Sequence, residues 1–155
     1  MFLVANRLEV PVANSLARPG IYAGDVVGFY EIWPTPVVIV SDGPYGLGSY
    51  PGDPPTTEGL AEWYALHIAQ WSVKATPQTT LWFWNSELGW ATVHPMLTAN
   101  NWKYRACYIW DKGLSHVAGN ANTRTLRKFP VVTEVCVQYV REANFSANGQ
   151  GISMQ

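Results

Sequence analysis

The run Val37-Val38-Ile39-Val40 leads straight into Ser41-Asp42-Gly43-Pro44-Tyr45-Gly46, and this junction constrains the chain more than any other feature. Consecutive β-branched residues favour a strand, and a run apolar on both faces suits the middle of a parallel sheet. Pro34 and Pro36 bracket its start, and a Gly- and Pro-rich stretch over residues 41–55 ends it. In open α/β sheets, ligands bind just beyond the carboxyl ends of the strands. Asp42 and its neighbours therefore stand where chemistry is expected, although Asp-Gly-Pro alone also makes a good turn.

The rest of the chain supplies partners for such a strand. Residues 1–20 contain Pro11, Pro19 and Gly20, show no sustained period and read as an irregular lead-in. A short strand is expected over residues 21–27, ending near Gly24-Asp25. After the long loop, Thr56 or Thr57 can cap a helix whose stripe of Leu60, Trp63, Tyr64, His67, Ile68 and Trp71 has helical spacing. His67 lies inside that stripe and reads as a core histidine. Residues 79–84 make a second buried strand, and residues 87–99 a helix that Pro95 kinks or splits. Third and fourth strands follow over residues 104–110 and 131–140, joined by a long loop over residues 111–130. Strands separated by helical segments predict an α/β sheet with a parallel core. At 155 residues, 48% of them hydrophobic, the chain holds one domain with its own core.

Composition narrows the function classes. The opening Met-Phe-Leu-Val-Ala-Asn-Arg lacks the basic and apolar regions of a secretory signal. No apolar stretch approaches the ~18 residues of a membrane span, so a cytoplasmic protein without a membrane partner is expected. Cys107 and Cys136 lie in apolar runs without ligand spacing, and His67, His94 and His116 are scattered, so no metal site is expected. A net charge of −1 argues against a generic basic nucleic-acid binder. The charge is nonetheless uneven. No Lys or Arg lies between Arg18 and Lys74, whereas Asp25, Glu31, Asp42, Asp53, Glu58 and Glu62 do. From residue 112 to 133 the balance reverses, with Lys112, Arg124, Arg127 and Lys128 and no acidic residue. One end thus suits a cationic ligand and the other a phosphate backbone, unless both are ordinary surface variation.

Ser41-Asp42-Gly43-Pro44-Tyr45 resembles the Asp-Pro-Pro-Tyr signature of DNA methyltransferases that modify an exocyclic amino group. Tyr22-Ala23-Gly24-Asp25 resembles the Gly-Asp that precedes the signature in the permuted (beta-type) class, where the target-base half comes first. Leu81-Trp82-Phe83-Trp84-Asn85 and Ile109-Trp110-Asp111-Lys112-Gly113 resemble the next two strands, and Glu134 stands where the family has a Glu in the last strand of this half. The resemblance covers roughly residues 20 to 142. It implies a Rossmann-like S-adenosylmethionine-dependent methyltransferase fold with a mostly parallel sheet. That fold is incomplete, because no strand followed by Phe-x-Gly-x-Gly, the glycine turn for the cofactor, is found. The expected organisation is a lead-in over residues 1–20, a partial catalytic domain over 21–142 and a truncated tail over 143–155.

The chemistry of the reaction explains such residues. An exocyclic amine is a poor nucleophile because its lone pair is delocalised into the ring. Two acceptors gripping its N–H groups free that lone pair to attack a methyl sulfonium. The resemblance assigns Asp42 a carboxylate acceptor and Gly43 a carbonyl acceptor, with Pro44 holding both in register and Tyr45 stacking on the extruded base. Asp25, together with Asp42, is expected to contact S-adenosylmethionine, with a capping Asp as the competing reading for Asp25. Lys112, Asn120, Asn122, Arg124, Arg127 and Lys128 are expected to meet DNA phosphates, with a solvated basic loop as the competitor. Phe129-Pro130 is a further candidate for packing the base, or Phe129 is core. Gly43 departs from the family, which usually has Pro there. A second Asp-Pro-Pro, at residues 53–55, reads as a turn leading into a helix.

The expected reaction is methyl transfer to adenine N6, favoured over cytosine N4. Competing readings are a non-catalytic nucleic-acid or nucleotide-binding remnant, a protein-amide methyltransferase, and a plain structural turn at Asp42-Gly43. The missing half would leave residues 37–40 with a bare strand edge and the helices with open apolar surface, so self-association, or complementation by a separate cofactor-binding chain, is expected.

Overall fold

A computed structural model describes residues 23–113 and 132–141. Its first feature is a cap. The Asp25 carboxylate accepts from the Val27 N–H at 3.0 Å and starts a 3₁₀ helix over Val26–Ile32. The strand expected over residues 21–27 is therefore corrected, with Ile21 and Tyr22 lying outside the described residues. The cause is a buried side chain. Tyr30 sits with its hydroxyl 2.7 Å from His67 Nδ1 and accepts from Trp71 Nε1 at 3.0 Å. Lys74 Nζ donates to the carbonyls of Glu31 and Trp33 at 3.1 and 3.4 Å. These bonds lay the segment across a helix instead of along a strand edge.

The sheet contains β1 (Val38–Asp42), β2 (Thr80–Asn85), β3 (Trp102–Asp111) and β4 (Thr133–Arg141) in the spatial order β1-β2-β4-β3. Between β1 and β2 runs α1 (Leu60–Lys74), and between β2 and β3 runs α2 (Glu87–Ala99). The pair β1 and β2 is parallel, from Val38 opposite Thr80 to Asp42 opposite Trp84, and α1 supplies the crossover that parallel strands require. The other pairs, β2 with β4 and β3 with β4, are antiparallel. The sheet is mixed, which corrects the mostly parallel one expected. β4 lies between β2 and β3 and runs antiparallel to both.

Both helices cover one face. The stripe of α1 is buried as its spacing implied: Leu60, Tyr64, His67, Ile68 and Trp71 pack inward. They meet Ile39, Leu81, Phe83, Val135, Val137 and Tyr139, the inward residues of β1, β2 and β4. Each such apolar side chain contributes roughly 1.5–3 kcal/mol on burial. Thr56 stands before a short 3₁₀ turn, Thr57–Gly59, but its side chain caps nothing, contrary to expectation. Ser86 does cap α2, accepting from Gly89 N–H at 3.1 Å, and Pro95 lies inside α2 without ending it.

The opposite face carries Val38, Val40, Trp82, Trp84, Tyr108 and Trp110. Val38 is 53% and Val40 64% exposed, and among the described residues β1 is the outer strand of the sheet, buried on one side, as expected for a strand that suits the middle of a sheet but lacks its family neighbour. The run is apolar on both faces, yet the described residues cover only one of them. No helix among these residues is long and apolar enough to cross a membrane.

Burial pushes the His67 pKa below its ordinary 6.5, against a smaller upward pull from Asp25. The unfolded chain therefore protonates first as pH falls. Stability held above about pH 6.5 should decline as pH drops through that value toward the lower folded one. Chemical denaturation at pH 7.5 and pH 5 measures this, and His67→Phe should flatten the difference. Tyr30→Phe removes the shared partner of His67 and Trp71 and should cost about 1–3 kcal/mol at either pH.

Candidate active site

The site is built where the parallel pair ends. Asp42 is the last residue of β1 and is exposed; Gly43 and Tyr45 are half-buried and Pro44 is buried. Asn85, the last residue of β2, is fully buried and donates from Nδ2 to the Pro44 carbonyl at 3.0 Å. Tyr64 of α1 donates to the same carbonyl at 3.4 Å. Pro44 is thus held through its oxygen by both neighbouring elements, in addition to its own fixed φ.

Asp53 holds the next part of the loop. Its carboxylate accepts from the N–H groups of Gly46, Leu47 and Ser49 at 2.9, 3.2 and 2.9 Å. Burial pushes its pKa up, and the backbone donors, Ser49 foremost, outweigh that and leave it below the ordinary value. The second Asp-Pro-Pro does precede a turn into a helix, as read from the sequence. Its aspartate is also the organiser of the loop that follows the signature, a role the sequence reading missed. The available signal was an Asp facing a Gly-rich stretch, the usual setting for a side chain that collects backbone N–H groups.

Gly43 has a packing reason. A Cβ at this position would overlap the Tyr64 hydroxyl and lie 3.2 Å from Tyr64 Cζ. Tyr64 is fully buried and cannot yield. Among the described residues no hydrogen bond is made to the Gly43 carbonyl, which leaves it open as an acceptor.

Asp42 belongs to a network. Tyr45 Oη lies 3.0 Å from Asp42 Oδ1 and 3.2 Å from Glu134 Oε2. Lys112 Nζ sits 2.6 Å from Glu134 Oε1. Burial raises the Tyr45 pKa well above its ordinary value, with the charges of Asp42 and Glu134 acting in the same direction, so the phenol stays protonated. Lys112, one of the residues expected to meet DNA phosphates, is engaged in this ion pair. Asn120, Asn122, Arg124, Arg127, Lys128, Phe129 and Pro130 lie outside the described residues.

Two concavities flank Asp42. One of about 240 Å³ on the helix side reaches from Val26, beside Asp25, past Tyr30 and Trp63 to Asp42 and Gly43. The other, about 680 Å³, lies on the open face along Val40, Trp82, Trp84 and Trp110. Asp42 stands opposite Trp84 in register and shares its face. Asp25 itself caps a 3₁₀ helix, which is the competing reading, and its neighbour Val26 shares the smaller concavity with Asp42 and Gly43. Among the described residues no group of three or more His, Cys, Asp or Glu is arranged to hold a metal ion. Burial raises both thiols, Cys107 and Cys136, as suits inert side chains.

Gly43→Ala should destabilise the chain by about 1–3 kcal/mol through overpacking. In a Tyr64→Phe background the same change should cost less than half as much, measured as a double-mutant cycle in urea. Asp53→Asn should lower stability at neutral pH and lessen its loss below about pH 3.8, since a depressed carboxyl stabilises only while ionised. Acid titration followed by fluorescence checks this.

No family model matches the chain, and no curated protein does. Among solved structures the fold is similar to crystal structures of M1.HpyAVI and of the M1.HpyAVI-SAM complex. In each, identity is 19%, the TM-score is 0.47, and the match covers 76% of this chain and 50% of the other. The chain spans about half the length of the structures it matches.

Proposed function

We propose that this chain is the target-base half of a DNA methyltransferase acting on an exocyclic amino group, with adenine N6 favoured over cytosine N4. One observation carries the reading. An exposed carboxylate, Asp42, and an open carbonyl, Gly43, sit side by side at the carboxyl end of a parallel strand. Both are acceptors, and an amine with two N–H groups needs two. In this reading Asp42 takes one N–H and Gly43 the other. The nitrogen lone pair is then drawn out of conjugation and becomes nucleophilic. Pro44, fixed by Asn85 and Tyr64, keeps the two acceptors from drifting apart.

S-adenosylmethionine, when bound, supplies the electrophilic methyl group. The described residues fit part of it. Asp25 bonds Val27 through Oδ1 and keeps acceptor capacity on its other oxygen. The concavity between Val26 and Gly43, at about 240 Å³, is smaller than the roughly 300–1,000 Å³ of sites that enclose a whole small ligand. Duplex DNA is the proposed substrate, and the open edge of β1 with its aromatic face suits self-association or a complementing cofactor-binding chain.

The decisive experiment is transfer of labelled methyl from S-adenosylmethionine to adenine-containing duplex DNA, with N6-methyladenine read by mass spectrometry. The chain should transfer when a cofactor-binding chain complements it, and Asp42→Ala should lose at least about 100-fold while folding normally. Undiminished transfer by Asp42→Ala would sink the mechanism. DNA binding without transfer under every condition would favour the non-catalytic remnant. Calorimetry on the chain alone should show weak or no cofactor binding, and light scattering should show association.

A further inference from the structure

Tyr45 has one hydroxyl hydrogen and two carboxylates within reach of it. At 3.0 Å from Asp42 Oδ1 and 3.2 Å from Glu134 Oε2, neither contact is the short one of a committed O–H···O bond. We propose that Glu134, aimed by Lys112, is a positioning residue that takes the Tyr45 hydrogen bond from Asp42 when an amine-bearing base arrives. The proposal rests on the methyltransferase reading above and assigns within it a role that the reading leaves open.

The geometry makes the exchange small. The hydroxyl hydrogen rotates about the Cζ–Oη bond while the ring stays in place, and the proton never leaves oxygen. Glu134 is fixed on β4 opposite Trp110, and Lys112 lies just beyond Trp110 on the same strand path. With Nζ on Oε1 at 2.6 Å, Lys112 turns Oε2 toward Tyr45. Both side chains of the pair are only about one-fifth exposed, at 19% and 20%, so the arrangement is not a loose surface contact. The raised Tyr45 pKa keeps the hydroxyl a donor throughout. The consequence falls on Asp42. While Tyr45 donates to it, one of its oxygens is partly used, and once the hydrogen turns to Glu134 both oxygens are free to grip the incoming amine.

The test uses the full chain and two probes, deoxyadenosine and purine 2′-deoxyriboside, which lacks the amine. Wild type should prefer deoxyadenosine, and Asp42→Ala should lose most of that preference. Glu134→Gln should reduce it about three- to tenfold, the worth of one hydrogen bond, and Lys112→Met should do the same by misaiming Glu134. Tyr45→Phe separates positioning from mere structure. With no hydroxyl to compete for Asp42, Glu134→Gln in that background should have no further effect on the preference. An undiminished Glu134→Gln loss in the Tyr45→Phe background, or no loss in the wild-type background, overturns the proposal while leaving the role of Asp42 intact. A wild type without preference, or an Asp42→Ala that keeps it in full, brings down the methyltransferase reading and this proposal together.

Discussion

The buried amide of Asn85 joins the carboxyl ends of the two parallel strands through one hydrogen bond, to the Pro44 carbonyl at 3.0 Å. Its other atom, Oδ1, accepts from Ser86 N–H at 3.0 Å, where α2 begins. A single side chain therefore ties the end of β1, the end of β2 and the start of α2. Gly89 is part of the same arrangement, since a Cβ there would overlap Asn85 Oδ1. A buried amide with unmet polar atoms would cost about 1–3 kcal/mol, so the loop cannot leave this geometry without a penalty comparable to a sizeable share of domain stability. What distinguishes Asp42 and Gly43 from two residues of an ordinary turn is that the carbonyl following them is held from below.

The open sheet face follows from the same topology. The crossover between β1 and β2 places α1 on one side, and α2 packs beside it. Nothing among the described residues covers the other side, where Trp82 stacks on Tyr108 at 5.6 Å and Trp84 meets Trp110 edge-on at 5.9 Å. Aromatic pairs of this kind partly shield one another, which lessens but does not remove the cost of exposure. Asp42, Glu134 and Tyr45 form the polar rim of that face. The candidate site thus lies at the boundary between an apolar surface and a charged network.

Much of this was legible in the sequence because it is periodic. The α1 stripe, the second strand and the Pro95-containing helix announce themselves through spacing, and spacing is local. The order of the strands is not local. Nothing in residues 131–140 states that they insert between β2 and β3 or run backwards, and so the sheet was expected to be mostly parallel. The β-branched run 37–40 shows a related limit of locality: apolarity on both faces reports what a strand can bury, whereas among the described residues β1 buries only one face. The capping of Asp25 went the other way. A Gly-Asp before apolar residues reads as strand or cap with equal ease, and the choice was made 42 residues later by His67, through Tyr30. The site followed the same division. Asp42 to Tyr45 were visible as a motif, while Asn85, Tyr64 and Asp53, which hold that motif, act across 41, 20 and 7 residues of separation.

Gly43 shows how a departure from a motif is absorbed. Where the resembled family usually has a proline, rigidity at that position comes from a ring that fixes φ. Glycine forfeits that and adds conformational freedom to the unfolded chain. Here the space that a proline ring would need belongs to Tyr64, whose hydroxyl approaches the glycine closely and also reaches the Pro44 carbonyl at 3.4 Å. Stiffness has moved from a covalent ring in the loop to a buried phenol on the neighbouring helix. The two devices differ in what they couple. A proline would fix the loop by itself, whereas Tyr64 fixes it only while α1 is packed, and α1 is packed in turn through the Tyr30–His67–Trp71 cluster. Tyr64 and His67 are neighbours on the same stripe, their rings 6.4 Å apart, so the packing that holds the loop and the packing of that cluster share one surface of α1.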